Sequence, residues 1–239
     1  MAAVTLLSTT GLCKNFDGLR AVHEVDFELP EGQVRALIGP NGAGKTTLVS
    51  LLCGRIAPSA GRVRFDGRDI SDLPAHRRIN LGIAYTFQIT SVFADLPVAE
   101  NVALAARRRL RGAAAVAEAV QAALQRVGLH EPPEQNAGDL SYGHQRLLEI
   151  AMGLAQAPRL LILDEPTQGL TDGEIDAFKA LVRDLSATTT ILLIEHNMSV
   201  VMEVADQVTV LNFGEILAEG TPDQIRADAA VQAAYLGTG

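Results

Sequence analysis

The feature that most constrains the fold is a glycine-rich loop between an apolar segment and a helix-forming segment. Residues 34–38 before the loop predict a buried strand, and residues 46–53 predict a helix. Glycine lets backbone N–H groups turn inward around phosphates, and a helix N-terminus adds the positive end of its dipole. Lys45 then reaches the terminal phosphates and the Thr46 hydroxyl reaches Mg²⁺. A plain glycine-rich turn is the alternative, but the pattern favours a nucleoside triphosphate site. Its residues are Gly39, Pro40, Asn41, Gly42, Ala43, Gly44, Lys45, Thr46 and Thr47.

Composition excludes several classes of protein. The 239 residues are nearly half hydrophobic, enough for one large domain, or a domain with a subdomain, that needs no disulfides. No apolar run approaches the roughly 18 residues that span a bilayer, and the N-terminus lacks a signal-peptide pattern, so we expect a soluble chain. The net charge of −8 argues against nucleic acid as a partner. Arg107 to Arg109 are expected to be a solvated helix end, and Cys13 and Cys53 two buried thiols.

Hydrophobic patterning predicts the fold class. Residues 4–6, 12–16, 21–29 and 62–65 are typical of antiparallel strands. Residues 98–129 are rich in helix formers. The short apolar runs of the last third predict strands covered on both faces, as in a parallel sheet. Capping-box patterns begin helices at Thr171 and Thr221.

We therefore expect an α/β fold: a mostly parallel sheet around the phosphate loop, an N-terminal antiparallel β subdomain and an inserted α-helical subdomain. The whole chain, 1–239, is expected to form one domain of four parts. These are 1–90 (antiparallel β and the first part of the core), 91–156 (helical), 157–220 (second part of the core) and 221–239 (helical tail).

Two adjacent carboxylates narrow the chemistry. Asp164 and Glu165 directly follow an apolar strand, at the sheet edge where ligands of such folds bind. Asp164 is suited to hold Mg²⁺, directly or through water. Glu165 points elsewhere and is suited to orient and deprotonate an attacking water. Alternatively, the acidic pair caps Thr167 or pairs with an arginine.

The segment Leu-Ser-Tyr-Gly-His-Gln, residues 140–145, decides between families. Ser141 stands at the expected N-cap of an amphipathic helix, where a hydroxyl and backbone N–H groups form an anion site. The segment resembles the signature motif of ABC-transporter ATPases, whose usual form is Leu-Ser-Gly-Gly-Gln. Tyr142 and His144 depart from that form, while Ser141 and Gly143, the phosphate-contacting positions, are retained. Thr171 stands where many members have Asp.

The resemblance implies a role for each matching residue. Phe16 would stack on adenine, Gln88 would touch Mg²⁺ and water and sense the membrane partner, and His196 would contact the γ-phosphate. The implied catalytic set is Glu165, His196, Lys45 and Gln88, and the implied Mg²⁺ set is Thr46, Gln88 and Asp164. It also implies ATP and Mg²⁺ as cofactors and a homo- or heterodimer of ATPase subunits. Each ATP would lie between the phosphate loop of one subunit and Ser141 to Gly143 of the other.

One group within this family, the branched-chain amino-acid importer ATPases, resembles this chain more specifically. The resemblance lies in the form of the signature segment and in residues 82–88, 194–198 and 234–237. This closer resemblance implies uptake of branched-chain or other hydrophobic amino acids through a membrane permease docked near residues 88–93. It also implies a solute-binding protein as an indirect partner and a position on the cytoplasmic face of the cell membrane. Related transporters for urea, amides or another solute, and lipopolysaccharide-type exporters, remain alternatives.

Other classes fit less well. A DNA- or ribosome-acting ATPase would show a coiled-coil insertion or tandem domains. A GTPase or small-molecule kinase would lack the signature segment and His196, and a non-hydrolysing module would lack Glu165 or Lys45.

Overall fold

The computed structural model describes residues 4–86 and 91–236. Ten strands occur in this part of the chain. They are β1 (Thr5–Phe16), β2 (Leu19–Pro30), β3 (Val34–Ile38), β4 (Ala60–Phe65), β5 (Arg68–Asp69), β6 (Ile83–Thr86), β7 (Leu160–Asp164), β8 (Thr190–Ile194), β9 (Gln207–Asn212) and β10 (Glu215–Gly220).

The same ranges contain nine α-helices and one short 3-10 turn, Ala137–Asp139. None of these helices combines the length and apolar character needed to cross a bilayer. They are α1 (Lys45–Cys53), α2 (Ala75–Asn80), α3 (Val98–Ala106), α4 (Ala113–Arg126), α5 (Tyr142–Leu154), α6 (Asp172–Ser186), α7 (Met198–Val204), α8 (Pro222–Ala227) and α9 (Ala229–Leu236).

The larger sheet forms the centre of the fold. Its order is β10-β9-β3-β8-β7-β6, with β10 antiparallel to β9 and the other neighbours parallel. Every residue of β3, β7 and β8 is buried, as their mainly apolar sequences predict. The phosphate loop and the two adjacent carboxylates both follow parallel strands, so they lie at the same edge of this sheet.

Strand β7 shows how the layers are organised. Leu161 and Leu163 pack into a core formed with the helices α3 to α6. Leu160 and Ile162 face the opposite way, into a core shared with the antiparallel sheet and α1. Because side chains alternate across a strand, one apolar run serves two separate cores.

The smaller sheet is antiparallel, in the order β2-β1-β4-β5. Residues 4–6 and 12–16 were predicted as separate strands, but residues 5–6 and 12–16 belong to the single strand β1. Gly11 lies in the left-handed region at φ +54°, within the register shift between Thr9 and Leu12. A bulge of this kind bends a strand without ending it.

The helical part consists mainly of α3, α4 and α5. The predicted helical block breaks after Ala106, and α4 begins after Gly112, at φ +91°. The buried amide of Asn101 binds backbone groups of Phe93, Leu96 and Pro97 and so fixes the chain that enters α3.

The basic run after α3 is exposed, as predicted. Arg107 pairs with Glu100 on the same helix, and Arg108 donates to the His76 carbonyl. The prediction of two buried thiols is correct for Cys53 and wrong for Cys13, which is only partly buried on β1.

Candidate functional site

The phosphate loop is shaped by close approaches of backbone to backbone. A Cβ atom on Gly39 would lie 2.1 Å from the Leu211 carbonyl oxygen. A Cβ atom on Gly44, at φ +101°, would lie 2.4 Å from the Ala21 carbonyl oxygen. These two positions therefore require glycine for space as well as for conformation.

The loop borders a cavity of about 450 Å³. Residues 41–47 line one side of this cavity, and Glu165, the residue that follows β7, also lines it. The remaining lining residues are Leu19, Arg20 and Ala21 at the start of β2 and Phe213 in the turn between β9 and β10.

Lys45 opens α1 and crosses the loop. Its Nζ donates to the carbonyl oxygens of Gly39, at 2.6 Å, and Pro40, at 3.1 Å. Burial lowers the pKa of Lys45, and the carboxylates of Glu165 and Asp164 oppose that shift. The ammonium group thus lies between the phosphate loop and the two predicted acidic residues.

Asp164 is buried at the end of β7. Its Oδ2 accepts a hydrogen bond from the Tyr85 hydroxyl at 2.7 Å. Burial raises the pKa of Asp164, and the Tyr85 hydrogen bond partly offsets the rise. Tyr85 was not predicted as a site residue, because its partner is 79 positions away in the sequence.

Glu165 follows in an unusual backbone conformation, at φ +45°. Its N–H donates to the Ile194 carbonyl at 2.9 Å, while its carbonyl accepts from Arg146 Nη2 at 3.0 Å. Its Oε1 lies 4.0 Å from Nδ1 of His196, whose side chain is exposed. The structure therefore brings Lys45, Glu165 and His196 to one edge of the sheet.

The acidic pair does not cap Thr167, which was the alternative interpretation. Thr167 instead donates its N–H and its hydroxyl to Glu195, a fully buried carboxylate at the end of β8. The second oxygen of Glu195 accepts from the N–H groups of His196 and Asn197, both at 2.9 Å.

The signature segment lies apart from the phosphate cavity. Ser141 caps α5, with its hydroxyl oxygen accepting from the His144 N–H at 3.3 Å. A Cβ on Gly143 would lie 2.1 Å from the Glu174 carboxylate, so the segment packs against the start of α6. Neither Ser141 nor Gly143 lines the cavity that holds Lys45.

Comparison with known proteins decides the family. A family model described as ABC transporter matches residues 22–168. The chain belongs to the ABC transporter family. A second model, for the branched-chain amino acid ATP-binding cassette transporter, matches residues 215–239.

Two curated relatives match this cassette along nearly its whole length. The high-affinity branched-chain amino acid transport ATP-binding protein BraF of Pseudomonas aeruginosa is 41% identical, over 97% of this chain and 98% of that protein. Its counterpart LivG of Escherichia coli is 39% identical with the same coverage.

A solved structure confirms the fold class. The ADP conformation of MJ1267, an ATP-binding cassette of an ABC transporter, superimposes with a TM-score of 0.90 at 28% identity. The match covers 98% of this chain and 99% of that one. The resemblance inferred from the motifs is thus confirmed for both family and fold.

Phe16 and Gln88 are two further predicted site residues of the cassette. Phe16 is about half exposed at the end of β1, under the Lys14 ammonium, and pairs with Leu19, which lines the cavity. Gln88 lies outside the described residues, so its predicted contacts stay a prediction.

The donor chemistry suits Mg²⁺. Within residues 4–86 and 91–236 there is no cluster of three or more His, Cys, Asp or Glu side chains that could hold a metal. The cassette instead offers one carboxylate, Asp164, and the exposed hydroxyl of Thr46. Oxygen donors, few in number and beside a phosphate site, are the set that Mg²⁺ takes together with a nucleotide.

Proposed function

We propose that this cassette is the ATP-hydrolysing subunit of an importer for branched-chain or other hydrophobic amino acids. The observation that carries the proposal is the single cavity shared by the phosphate loop and Glu165. The solute class is supported by the branched-chain amino acid transport for which the relatives BraF and LivG are named, and by the match of residues 215–239.

The roles of the site residues follow from charge and position. Lys45 and the backbone N–H groups at the start of α1 hold the phosphates. Glu165 takes the proton of the attacking water, and His196, which lies beside it, donates to the γ-phosphate. Asp164 and Thr46 hold Mg²⁺, which when bound neutralises charge developing on the phosphates. Phe16 offers its ring face to adenine.

A second ATPase subunit completes the site. Ser141 and Gly143 carry an anion-binding helix start, yet they lie outside the cavity of their own chain. We propose that they cover the γ-phosphate in the site of a partner cassette. Residues 91–156 are then a unit that moves with the signature segment when the dimer closes.

The dimer in turn acts on a permease. We place the permease contact near residues 88–93, which puts the cassette on the cytoplasmic face of the membrane, with a solute-binding protein as an indirect partner.

The hydrolytic role is tested by Glu165→Gln in the complete transporter. Losing a general base lowers turnover by about 10²- to 10⁴-fold. Binding of ATP is expected to persist, and the isolated variant cassette should form an ATP-dependent dimer that light scattering detects. Glu118→Gln, at an exposed position on α4, is the matched control and should hydrolyse ATP at the normal rate. Near-normal turnover by Glu165→Gln contradicts the assignment.

The transported solute is tested with the native complex in proteoliposomes. ATP-dependent uptake of labelled leucine, isoleucine and valine is compared with that of urea and an aliphatic amide. Uptake of the amino acids, lost in Glu165→Gln, supports the proposal. Uptake of urea or the amide alone contradicts the solute class while leaving the ATPase role intact.

A further inference from the structure

Glu165 occupies a left-handed backbone conformation that few residues other than glycine adopt. Its φ of +45° lies in the left-handed region, and its side chain is mostly buried beside the phosphate cavity. Strained conformations of this kind persist where neighbouring groups over-determine them. The direction of the Glu165 carboxylate therefore depends on whatever holds residues 165–167.

One group that holds this turn comes from the signature helix α5. Arg146 is buried, with 1% of its surface exposed. Its Nη2 donates to the Glu165 carbonyl at 3.0 Å, and its Nη1 donates to the Glu149 carboxylate at 2.7 Å. The guanidinium thus ties the backbone of Glu165 to the helix that begins at Ser141.

A second group comes from the opposite side, at the end of β8. Glu195 accepts from the backbone N–H of Thr167 at 3.1 Å and also from its hydroxyl. Through its other oxygen it binds the backbone that carries His196. One buried carboxylate therefore fixes both the turn after Glu165 and the segment of the histidine beside it.

Packing alone does not account for these charges. A buried ion pair such as Arg146–Glu149 is, on balance, no more stabilising than hydrophobic residues of similar volume. What the charges add here is a fixed direction for hydrogen bonds, and those bonds end on the residues that flank the proposed base.

We infer that Arg146 and Glu195 are positioning residues that hold Glu165 in its reactive orientation, one from the signature helix and one from the His196 segment. This inference rests on the proposed role of Glu165 as the base. Because Arg146 and Ser141 share α5, a rotation of that helix moves the signature segment and the support of the base together.

The decisive variant removes both charges of the pair at once. Arg146→Met with Glu149→Leu removes the ion pair as a unit and takes one donor from the Glu165 carbonyl, so the free energy of unfolding should fall by no more than the cost of leaving that one acceptor without this donor. Turnover of the transporter should nevertheless fall by about 10- to 100-fold, because small misplacements of a catalytic group carry costs of that size. The KM for ATP and the dissociation constant for ATP should change less than about threefold. A stable double variant with normal kcat overturns the inference.

Dependence on Glu165 separates positioning from a general structural effect. The Arg146→Met/Glu149→Leu change is repeated in a Glu165→Gln background. If the pair acts through the base, it should no longer alter the residual turnover. An equal fold loss in both backgrounds overturns the inference. If Glu165→Gln itself hydrolyses normally, the proposed function fails instead, which this comparison reveals directly.

The proposed positioning role of Glu195 is tested with Glu195→Gln. In this variant an NH₂ group replaces one of the two carboxylate oxygens, so a donor faces backbone N–H groups that need an acceptor. We therefore expect kcat to fall about 10-fold, with the KM for ATP little changed. Thr167→Val removes one of the same hydrogen bonds, and the two losses should therefore not multiply when combined. Glu203→Gln, whose carboxylate pairs with Lys179 on α6, is the control and should keep the normal kcat. Independent, multiplying effects of Glu195→Gln and Thr167→Val count against this role.

Discussion

Two turns at the same edge of the parallel sheet are stabilised in different ways. The phosphate loop after β3 is held by main-chain contacts: Ala43 donates to the Pro40 carbonyl at 3.1 Å and accepts from Gly214 at 2.8 Å. The turn after β7 is held by the buried side chains of Arg146 and Glu195.

The difference predicts how each turn fails. Apart from Lys45, whose ammonium donates to the Gly39 and Pro40 carbonyls, the loop is held by backbone contacts, so it is broken by adding atoms where backbones meet. A turn held by charges is broken by removing them. The loop should therefore be sensitive to glycine substitution, and the β7 turn to changes in residues far away in the sequence.

Gly44→Ala should have the largest effect. The added methyl group would lie 2.4 Å from the Ala21 carbonyl oxygen at φ +101°, so the loop must move. We expect a loss of about 3 kcal/mol in the free energy of unfolding. ATP affinity should fall about 100-fold if that strain acts on the bound state. Urea unfolding and calorimetric ATP titration measure the two effects.

The control is Gly67→Ala in the turn between β4 and β5. Its φ is +72°, but nothing lies within 4 Å of the new atom, so only conformational strain remains. We expect a cost of about 1 kcal/mol and unchanged ATP binding. Equal effects at Gly44 and Gly67 contradict the argument from close approach.

Arg78→Met tests whether a buried charge also supports the helix that follows the loop. The Arg78 guanidinium donates to the carbonyls of Leu51 and Leu52 at 2.7 and 2.8 Å, at the far end of α1, and to those of Ser71 and Leu73. Leaving these carbonyls unsatisfied should cost about 3 kcal/mol in urea unfolding. ATP affinity should change less than threefold, because the loop end of α1 is held separately. Arg77→Met, at an exposed neighbour, should be neutral.

Thr171→Ala should have a smaller effect, on the helix that follows the β7 turn. The Thr171 hydroxyl is the N-cap of a capping box and donates to Glu174 at 2.8 Å, and loss of such a capping side chain costs about 1 kcal/mol. Thr171→Asp keeps a capping side chain and should keep the stability. Unfolding midpoints of the two variants, measured side by side, decide the point; a larger loss in Thr171→Asp than in Thr171→Ala is the contrary result.

The smallest effect concerns the reactivity of the Cys53 thiol at the C-terminal end of α1. Burial raises the pKa of Cys53 to about 12, so its thiol stays protonated at pH 8. Cys13 is partly exposed, and native protein should react at Cys13 alone with a maleimide. Mass mapping after labelling, with Cys13→Ser as the control, gives the site. Labelling of Cys53 without unfolding would show that α1 opens locally.

Local patterns were enough to predict much of this architecture. Some elements depend only on residues that are consecutive in the sequence, so their patterns could be recognised without knowing the fold. These are strands β3, β7 and β8, the phosphate loop and the capping box at Thr171. The break between α3 and α4 was missed, because Gly112 sits among good helix formers. The bulge at Gly11 was missed because it interrupts the alternating pattern, so the sequence predicted two strands where the structure has one.

The support of the site was not predictable in the same way. Asp164 and Glu165 were identified from their position after an apolar run, but nothing local points to Tyr85 or Glu195 as their neighbours. Those contacts join residues 79 positions apart in one case and 28 in the other. They exist only because the parallel sheet brings β6, β7 and β8 together.

The ion pair on α5 also constrains how this chain can diverge. Replacing Arg146 or Glu149 alone breaks a buried, hydrogen-bonded ion pair, a change that typically costs about 3–5 kcal/mol. That is a large part of the 5–15 kcal/mol that keeps a typical domain folded. Single substitutions at either position should therefore be strongly selected against, and descendants of this chain should keep the pair or exchange both members together.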